Sequence, residues 1–229
     1  MTPRPNSSPP SKAIEAVLWD NDGTLVDSEA IFFEITREAF ARLGIVLTKE
    51  LWGVHYLGEG NSSRELALSL GADRDTLKSV LEERNRRYRE VLKQPPLLRP
   101  EVRETLSALA GRVRMALVTG CHRDQLVPMH ASSGLLQFFE VIVTGDECSQ
   151  AKPHPELYLT ALKALGVRPE RCLAVEDSPR GLASARAAGI PCVVVPTELT
   201  RFLDFPGALS IEPNVSGVLK YVESTEPRP

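Results

Sequence analysis

Basic excess is the first thing this 229-residue sequence lacks. Its 27 Lys and Arg against 30 Asp and Glu leave a formal net charge of −3, which argues against a nucleic-acid partner, since such binders are usually clearly basic. No apolar run approaches the roughly 18 residues of a membrane span, so no membrane partner is expected. Cysteine is scarce: Cys121, Cys148, Cys172 and Cys192 include no C-x-x-C pair, and small buried thiols are the expectation. The four histidines, His55, His122, His130 and His154, have no zinc-site spacing. The N-terminus, MTPRPNSSPPSK, is polar and proline-rich without the apolar centre of a secretory signal. Residues 1–13 are read as a disordered tail, and a cytoplasmic location is the default expectation.

What is present is a strand-helix rhythm. Five short, continuously apolar runs, AVLWD (16–20), RMALVTG (114–120), FEVIVTG (139–145), CLAVED (172–177) and PCVVVP (191–196), have the character of strands buried on both faces. Helical patterns fall between them at about 100–111, 122–133, 155–166 and 179–188, an alternation that predicts an α/β fold with a parallel sheet and helices on both sides. ALSIEPNVSGVLKYVES adds a short edge strand and a terminal helix, and TEPRP ends in a frayed tail.

From about 30 to 97 the strand signal disappears. SEAIFFEITREAFARLG has helical spacing and ends at Gly44, and DRDTLKSVLEERNRRYREVLKQ is a second helix closed by Pro95 and Pro96. The basic run RNRRYRE (84–90) is read as a solvated helix face. This predicts a core of 14–29 and 98–229 interrupted by a helical insertion, 30–97, with hinges near 27–33 and 94–99.

In an open parallel sheet, ligands bind beyond the carboxyl ends of the strands. Those ends carry Asp20 and Asp22, then Thr119 and Gly120, then Glu176, Asp177 and Ser178, while Lys152 precedes the helix after the third strand. Clustered carboxylates repel one another and need a cation, and an all-oxygen set suits Mg²⁺. Lys152, Thr119 and free backbone N–H groups are what a phosphate requires. One carboxylate can act as a nucleophile, and a second, two residues on, can move protons. Taken singly, each motif has a plainer reading: Asp22-Gly23-Thr24 as a turn, Glu176-Asp177-Ser178 as a helix cap.

Together, in order and spacing, Asp20-x-Asp22-Gly23-Thr24, Thr119, Lys152 and Glu176-Asp177 resemble the four motifs of haloacid dehalogenase-like (HAD) hydrolases over about 14–200. DNDGTLVDSE and VEDSPRGLASARAAGIP are similar to the beta-phosphoglucomutase/phosphoglycolate phosphatase branch. The resemblance implies a Rossmann-like core with a helical cap. It implies a Mg²⁺-dependent phosphatase acting on a small phosphorylated metabolite, with a sugar or sugar-acid phosphate favoured. Asp20 would be the nucleophile and Asp22 the general acid and base. Asp20, the Asp22 backbone carbonyl, Glu176 and Asp177 would hold the metal. Thr119, Gly120 and Lys152 would bind the phosphoryl group, and Lys152 would also neutralise Asp20. His122 is placed at the site rim. Arg64, in the glycine-rich loop YLGEGNSSRE (56–65), is the candidate for a second anionic or hydroxyl contact. The related mutases carry a histidine five residues beyond the aspartate matched by Asp27. That position is Phe32, which lowers a phosphosugar mutase to second place. A receiver-type signalling module would lack both the Asp-x-Asp-Gly-Thr turn and the insertion. A monomer or weak homo-oligomer is expected, because a cap already covers the site.

Overall fold

The computed structural model describes residues 13–95 and 98–223. The expectations for residues 1–12, for Pro96 and for TEPRP fall outside the described residues.

Four residues, β1 (Ala16–Trp19), each with a fully buried side chain, form the centre of a sheet. The chain then makes the helices α1 (Ser28–Ala41), α2 (Lys49–Leu51), α3 (Ser63–Ser69) and α4 (Arg74–Val91) before returning through α5 (Val102–Leu109) to β2 (Arg114–Val118). The elements α6 (Arg123–His130), β3 (Val141–Val143), α7 (Glu156–Leu165), β4 (Cys172–Glu176), α8 (Pro179–Ala187), β5 (Cys192–Val194), β6 (Ser210–Ile211) and α9 (Leu219–Glu223) follow. The sheet order is β3-β2-β1-β4-β5-β6, with every pairing parallel.

The continuous apolar runs have the expected cause. Alternate residues of β1 serve two different cores. Val17 and Trp19 pack with Val102, Leu106, Leu126 and Val218 on one face. Ala16 and Leu18 pack with Leu157, Ala161, Leu165 and Leu182 on the other. The first crossover from β1 leads to β2 on one side, whereas β4 pairs on the opposite side. The direction of winding reverses between β1 and β4, and a crevice opens at the carboxyl ends of these two strands.

Among the described residues between β1 and α5 every named element is helical, and they have their own apolar cluster of Phe33, Phe40, Trp52, Leu57, Leu66, Leu77 and Leu81. This stretch is a helical cap insertion on a Rossmann-like core. Val26 bridges both Asp22 and Leu98, so the outgoing and returning segments meet at one residue, and away from that hinge the insertion touches the core through Lys49 with Glu198 at 2.7 Å and through Leu199. Two details differ from the sequence reading. Trp52–Gly58 is a π-helical segment continuing α2, so the glycine-rich loop shrinks to the few residues before α3. There is no room there for a larger residue at Gly53, where a Cβ would lie 2.4 Å from the Leu199 carbonyl oxygen. The basic run is also not uniformly solvated. Leu77, Leu81, Arg84 and Tyr88 recur at helical spacing on the inward side of α4, and Arg84 is buried while Arg86 and Arg87 stay exposed.

Candidate active site

The crevice is built from the ends of β1 and β4. Asp20 follows β1 directly, its backbone N–H donating to the Val175 carbonyl at 3.0 Å. Its side chain therefore inherits the rigidity of the sheet. Asn21 turns the opposite way, into a buried pocket where it hydrogen-bonds Nε2 of His130 at 2.8 Å and donates to the Met129 sulfur. The backbone carbonyl of Asn21 accepts from the N–H groups of Thr24, Leu25 and Val26, which closes the turn and returns Asp22 toward the crevice. Gly23 has φ +84°, and a Cβ there would lie 2.1 Å from Oδ2 of Asp177. Glycine is required twice over, by conformation and by space.

Lys152, joined to Pro153 by a cis peptide bond, projects its ammonium between the two strand ends. Its three donors are used completely: Nζ reaches Oδ1 of Asp20 at 2.6 Å, Oε1 of Glu176 at 2.7 Å and the Val118 carbonyl at 2.9 Å. Oε1 of Glu176 also accepts from the Tyr158 hydroxyl at 2.6 Å. Gly181 gives Glu176 its room, since a Cβ at that position would lie 1.9 Å from Oε2. Ser178 caps α8, its hydroxyl accepting from the Gly181 N–H at 3.3 Å.

Electrostatically, the floor has too many carboxylates. Burial, then the neighbouring acids Glu176 and Asp22, push the Asp20 carboxyl up to about 7 against the opposing pull of Lys152. Burial and the charges of Asp20 and Glu176 raise Asp177 well above the ordinary carboxylate range. Burial alone would depress Lys152, but Asp20 and Glu176 outweigh it and hold the ammonium charged. One cation serves three acids, and charge remains to be balanced. Asp20, Glu176 and Asp177 each place an oxygen within 4.8 Å of the others, and the buried Oδ2 of Asp177 has no hydrogen-bond partner. An all-oxygen cluster with an unpartnered buried acceptor fits a hard divalent cation.

The Asp22 carboxylate lies outside that cluster. Its Oδ1 accepts from the Ser28 hydroxyl at 2.6 Å and its Oδ2 from the Thr119 hydroxyl at 3.1 Å. Thr119 is fully buried and also accepts from the Cys121 N–H. Asp20, Asp22, Gly120, Lys152, Glu176 and Asp177 line one cavity of about 310 Å³.

Three residues assigned from sequence do not line it: Thr119 lies beneath the cavity and reaches it only through Asp22, and Arg64 and His122 are not brought there. Arg64 is exposed on α3, because the cap formed by Ser62 and Glu65 turns Ser63, Leu66 and Ala67 inward and leaves Arg64 on the outer side. His122 is exposed and pairs with Asp146 at 2.8 Å at the start of α6, outside the cavity lining. The residues that do close the cavity were missed: Glu29, Phe32, Tyr56, Tyr88 and Arg180. Glu29 stands inside the DNDGTLVDSE stretch, and Arg180 is three residues beyond Asp177 in the first turn of α8. Their nearness to strand ends was a usable signal. Tyr88 and Tyr56 carried none short of the three-dimensional packing, in which Tyr56 stacks on Trp52 at 3.9 Å and Phe32 meets Tyr88 at 4.8 Å.

The family model for haloacid dehalogenase-like hydrolases matches residues 17–195. The chain belongs to this family. Among curated HAD relatives, protein CbbY of Rhodobacter capsulatus is 36% identical over 206 residues, covering 85% of this chain and 91% of its own length. A phosphorylated carbohydrates phosphatase of Thermotoga maritima is 34% identical over 185 residues, covering 77% and 82%. Among solved structures, CbbY of Rhodobacter sphaeroides in complex with phosphate superposes with a TM-score of 0.72 at 27% identity, covering 92% of this chain and 99% of its own. With the acid cluster around Asp20, these likenesses identify a HAD-like phosphoric monoester hydrolase acting on small phosphorylated metabolites. No helix among the described residues is long and apolar enough to cross a membrane.

Proposed function

We propose that the protein is a Mg²⁺-dependent phosphatase of a small sugar or sugar-acid phosphate, working through a phosphorylated Asp20. The observation that carries this reading is the contact of Lys152 with Asp20 at 2.6 Å inside the buried acid cluster. Lys152 fixes one Asp20 oxygen, leaving the other to approach phosphorus. The Asp20 oxygen forms its bond to phosphorus as the bond to the leaving oxygen breaks, and Asp22 donates a proton to that oxygen. Asp22 then takes a proton from water, which attacks phosphorus and releases Asp20 and inorganic phosphate. The Ser28 and Thr119 hydroxyls orient Asp22 for both proton transfers. Asp20, Asp177, Glu176 and the Asp22 backbone carbonyl would hold Mg²⁺. Bound there, the ion supplies charge neutralisation that lets a carboxylate meet an anionic ester. Because charge spreads over the phosphoryl oxygens in the transition state, positioning and electrostatics carry most of the rate.

The cavity is small and roofed by rings, which favours a low-molecular-weight substrate over a phosphoprotein. A carbohydrate phosphate is supported by two relatives: the Thermotoga maritima enzyme by its name, and a mutant CbbY of Rhodobacter sphaeroides crystallised with xylulose-(1,5)bisphosphate. Phe32 lines the cavity. Its ring cannot accept or donate a proton, and this supports hydrolysis over a mutase cycle.

The test is phosphate release from a panel of sugar, sugar-acid and nucleoside phosphates, with Mg²⁺ and with chelator, for wild type and Asp20→Asn. Release with Mg²⁺ alone, absent in the variant, is expected. Asp20→Asn is close to isosteric, so a variant that kept wild-type turnover would overturn the mechanism.

A further inference from the structure

Arg84 is buried and Arg99 and Arg180 are half-buried, and the three are used differently. Arg99 donates to the carbonyls of Gly23, Val195 and Pro196, at 2.5 to 3.1 Å. Arg84 donates to the hydroxyls of Thr36 and Ser63 and to Asn85, at 2.9 to 3.1 Å, beneath the Phe32 ring. Both are structural: each makes three hydrogen bonds to fixed acceptors of the protein. Arg180 lines the active-site cavity, and its guanidinium makes no hydrogen bond and no ion pair among the described residues. Its partner is the face of Tyr56, 5.5 Å away, which orients the planar group and leaves its N–H edges free.

Helix stability does not account for Arg180. It stands second in α8, after Pro179, where the positive end of the helix dipole disfavours a cation. Nor does an internal salt bridge. Glu29 lines the same cavity and feels the Arg180 charge, yet the two do not reach ion-pair distance, and the buried Oε2 of Glu29 is without a partner. A guanidinium and a carboxyl group therefore face one cavity without meeting. A half-buried guanidinium with free donors on a cavity wall is poised for an anion, and its fork geometry matches a carboxylate or phosphate through two parallel hydrogen bonds. The phosphoryl end of the substrate is taken up at Asp20 on the cavity floor, away from the Tyr56 face that holds Arg180, so this anion belongs to another part of the same molecule.

We infer that Arg180 is a specificity-determining residue that takes a second anionic group, carboxylate or phosphate, on the leaving portion of the substrate, with Glu29 accepting from a hydroxyl beside it. This rests on the phosphatase reading and deepens it: the preferred substrates are phosphorylated sugar acids or bisphosphates rather than neutral phosphosugars. The recognising residue lies on the core helix that follows the metal-binding strand, not on the cap.

The experiment compares substrates that differ only in the second group. Glycerol 3-phosphate against 3-phosphoglycerate tests the carboxylate, and ribulose 5-phosphate against ribulose 1,5-bisphosphate tests the phosphate. In at least one pair, wild type should favour the doubly anionic member, and Arg180→Met should reduce that preference in kcat/KM by about 30-fold or more. Arg180→Lys, which keeps the charge but not the fork, should restore part of it. The pair that responds identifies the group. Equal losses on both members of each pair, or an unchanged preference, would overturn the inference, and circular dichroism of both variants shows whether the fold is intact. If wild type hydrolyses none of the four and nothing in the wider panel, the phosphatase reading fails separately. Calorimetric titration of Asp20→Asn with the same compounds, with and without Arg180→Met, then reads the second-anion preference as affinity: its loss in the double variant supports the inference, and its absence refutes it.

Discussion

The floor and the roof of the cavity are made of different materials. The floor is carboxylate and ammonium, its acids aimed by strand ends and its ammonium locked by three hydrogen bonds, from Lys152 to Asp20, Glu176 and Val118. The roof is aromatic. Phe32, Tyr56 and Tyr88 enter the cavity from three separate segments of the insertion and are held by ring packing against Trp52 and one another. Directional bonds tolerate almost no displacement, whereas ring contacts change shape with modest loss. A floor of this kind suits a fixed reaction. A roof of this kind suits the choice of molecule that undergoes it.

The largest effect should come from disturbing the floor. Gly23→Ala forces a Cβ to within 2.1 Å of the Asp177 carboxylate at a backbone φ of +84°. Activity should fall on the order of 100-fold, mainly in kcat, because the Asp22 turn and Asp177 must separate by a large fraction of an ångström. Steady-state kinetics beside a thermal melt would check it. A loss confined to KM would show that the floor is softer than its hydrogen bonds suggest.

Disturbing the roof should act on the other constant. Phe32→Ala removes a ring that meets Trp52, Tyr56 and Tyr88 and covers Arg84. KM should rise about tenfold with kcat changed by a smaller factor. A collapse of kcat equal to that of Gly23→Ala would erase the distinction between the two surfaces.

The smallest effect is on stability and tests the boundary between them. Burial raises Glu29 from its ordinary 4.5 to about 8, an effect the Arg180 charge only partly offsets. The folded protein then holds a proton that the unfolded chain has released, so metal-free stability should decrease as pH rises from about 4.5 to 8. Urea unfolding in chelator between pH 5 and 8 should lose on the order of 1 kcal/mol through this group, and Glu29→Gln should flatten that part of the slope. The raised Asp20 and Asp177 contribute in the same direction, so the remaining slope belongs to the floor.

The same contrast explains what could be read from the sequence. The sheet was legible because β1 and β4 are buried on both faces and therefore continuously apolar. Asp20, Asp22, Lys152, Glu176 and Asp177 were legible because a parallel sheet delivers its strand ends to one place, so that sequence order becomes spatial coincidence. Thr119 was found the same way, although its hydroxyl reaches Asp22 rather than the open cavity. The insertion offered no such rule. Whether Arg64 or Tyr88 faces the cavity depends on the rotation of a helix about its axis, which is set by neighbours distant in sequence. Arg64 was chosen for its chemistry and lies outside, while Tyr88 sat unnoticed in a run read as solvated. Arg180 was overlooked although it is adjacent to the acid motif, because a cation in the first turn of a helix reads as an unremarkable surface residue until its missing partners are seen.

Val26, bridged to both Asp22 and Leu98, gives the insertion a single doorway: the chain leaves the core and re-enters it at the same place. The span the core must bridge is then independent of what lies outside the doorway. Segments of other lengths and sequences could occupy it without altering the path from β1 to α5. Divergence can therefore act on the two halves of the enzyme separately. A lineage that inherits this floor can acquire a new roof, and with it a new substrate, while its chemistry passes unchanged from ancestor to descendant.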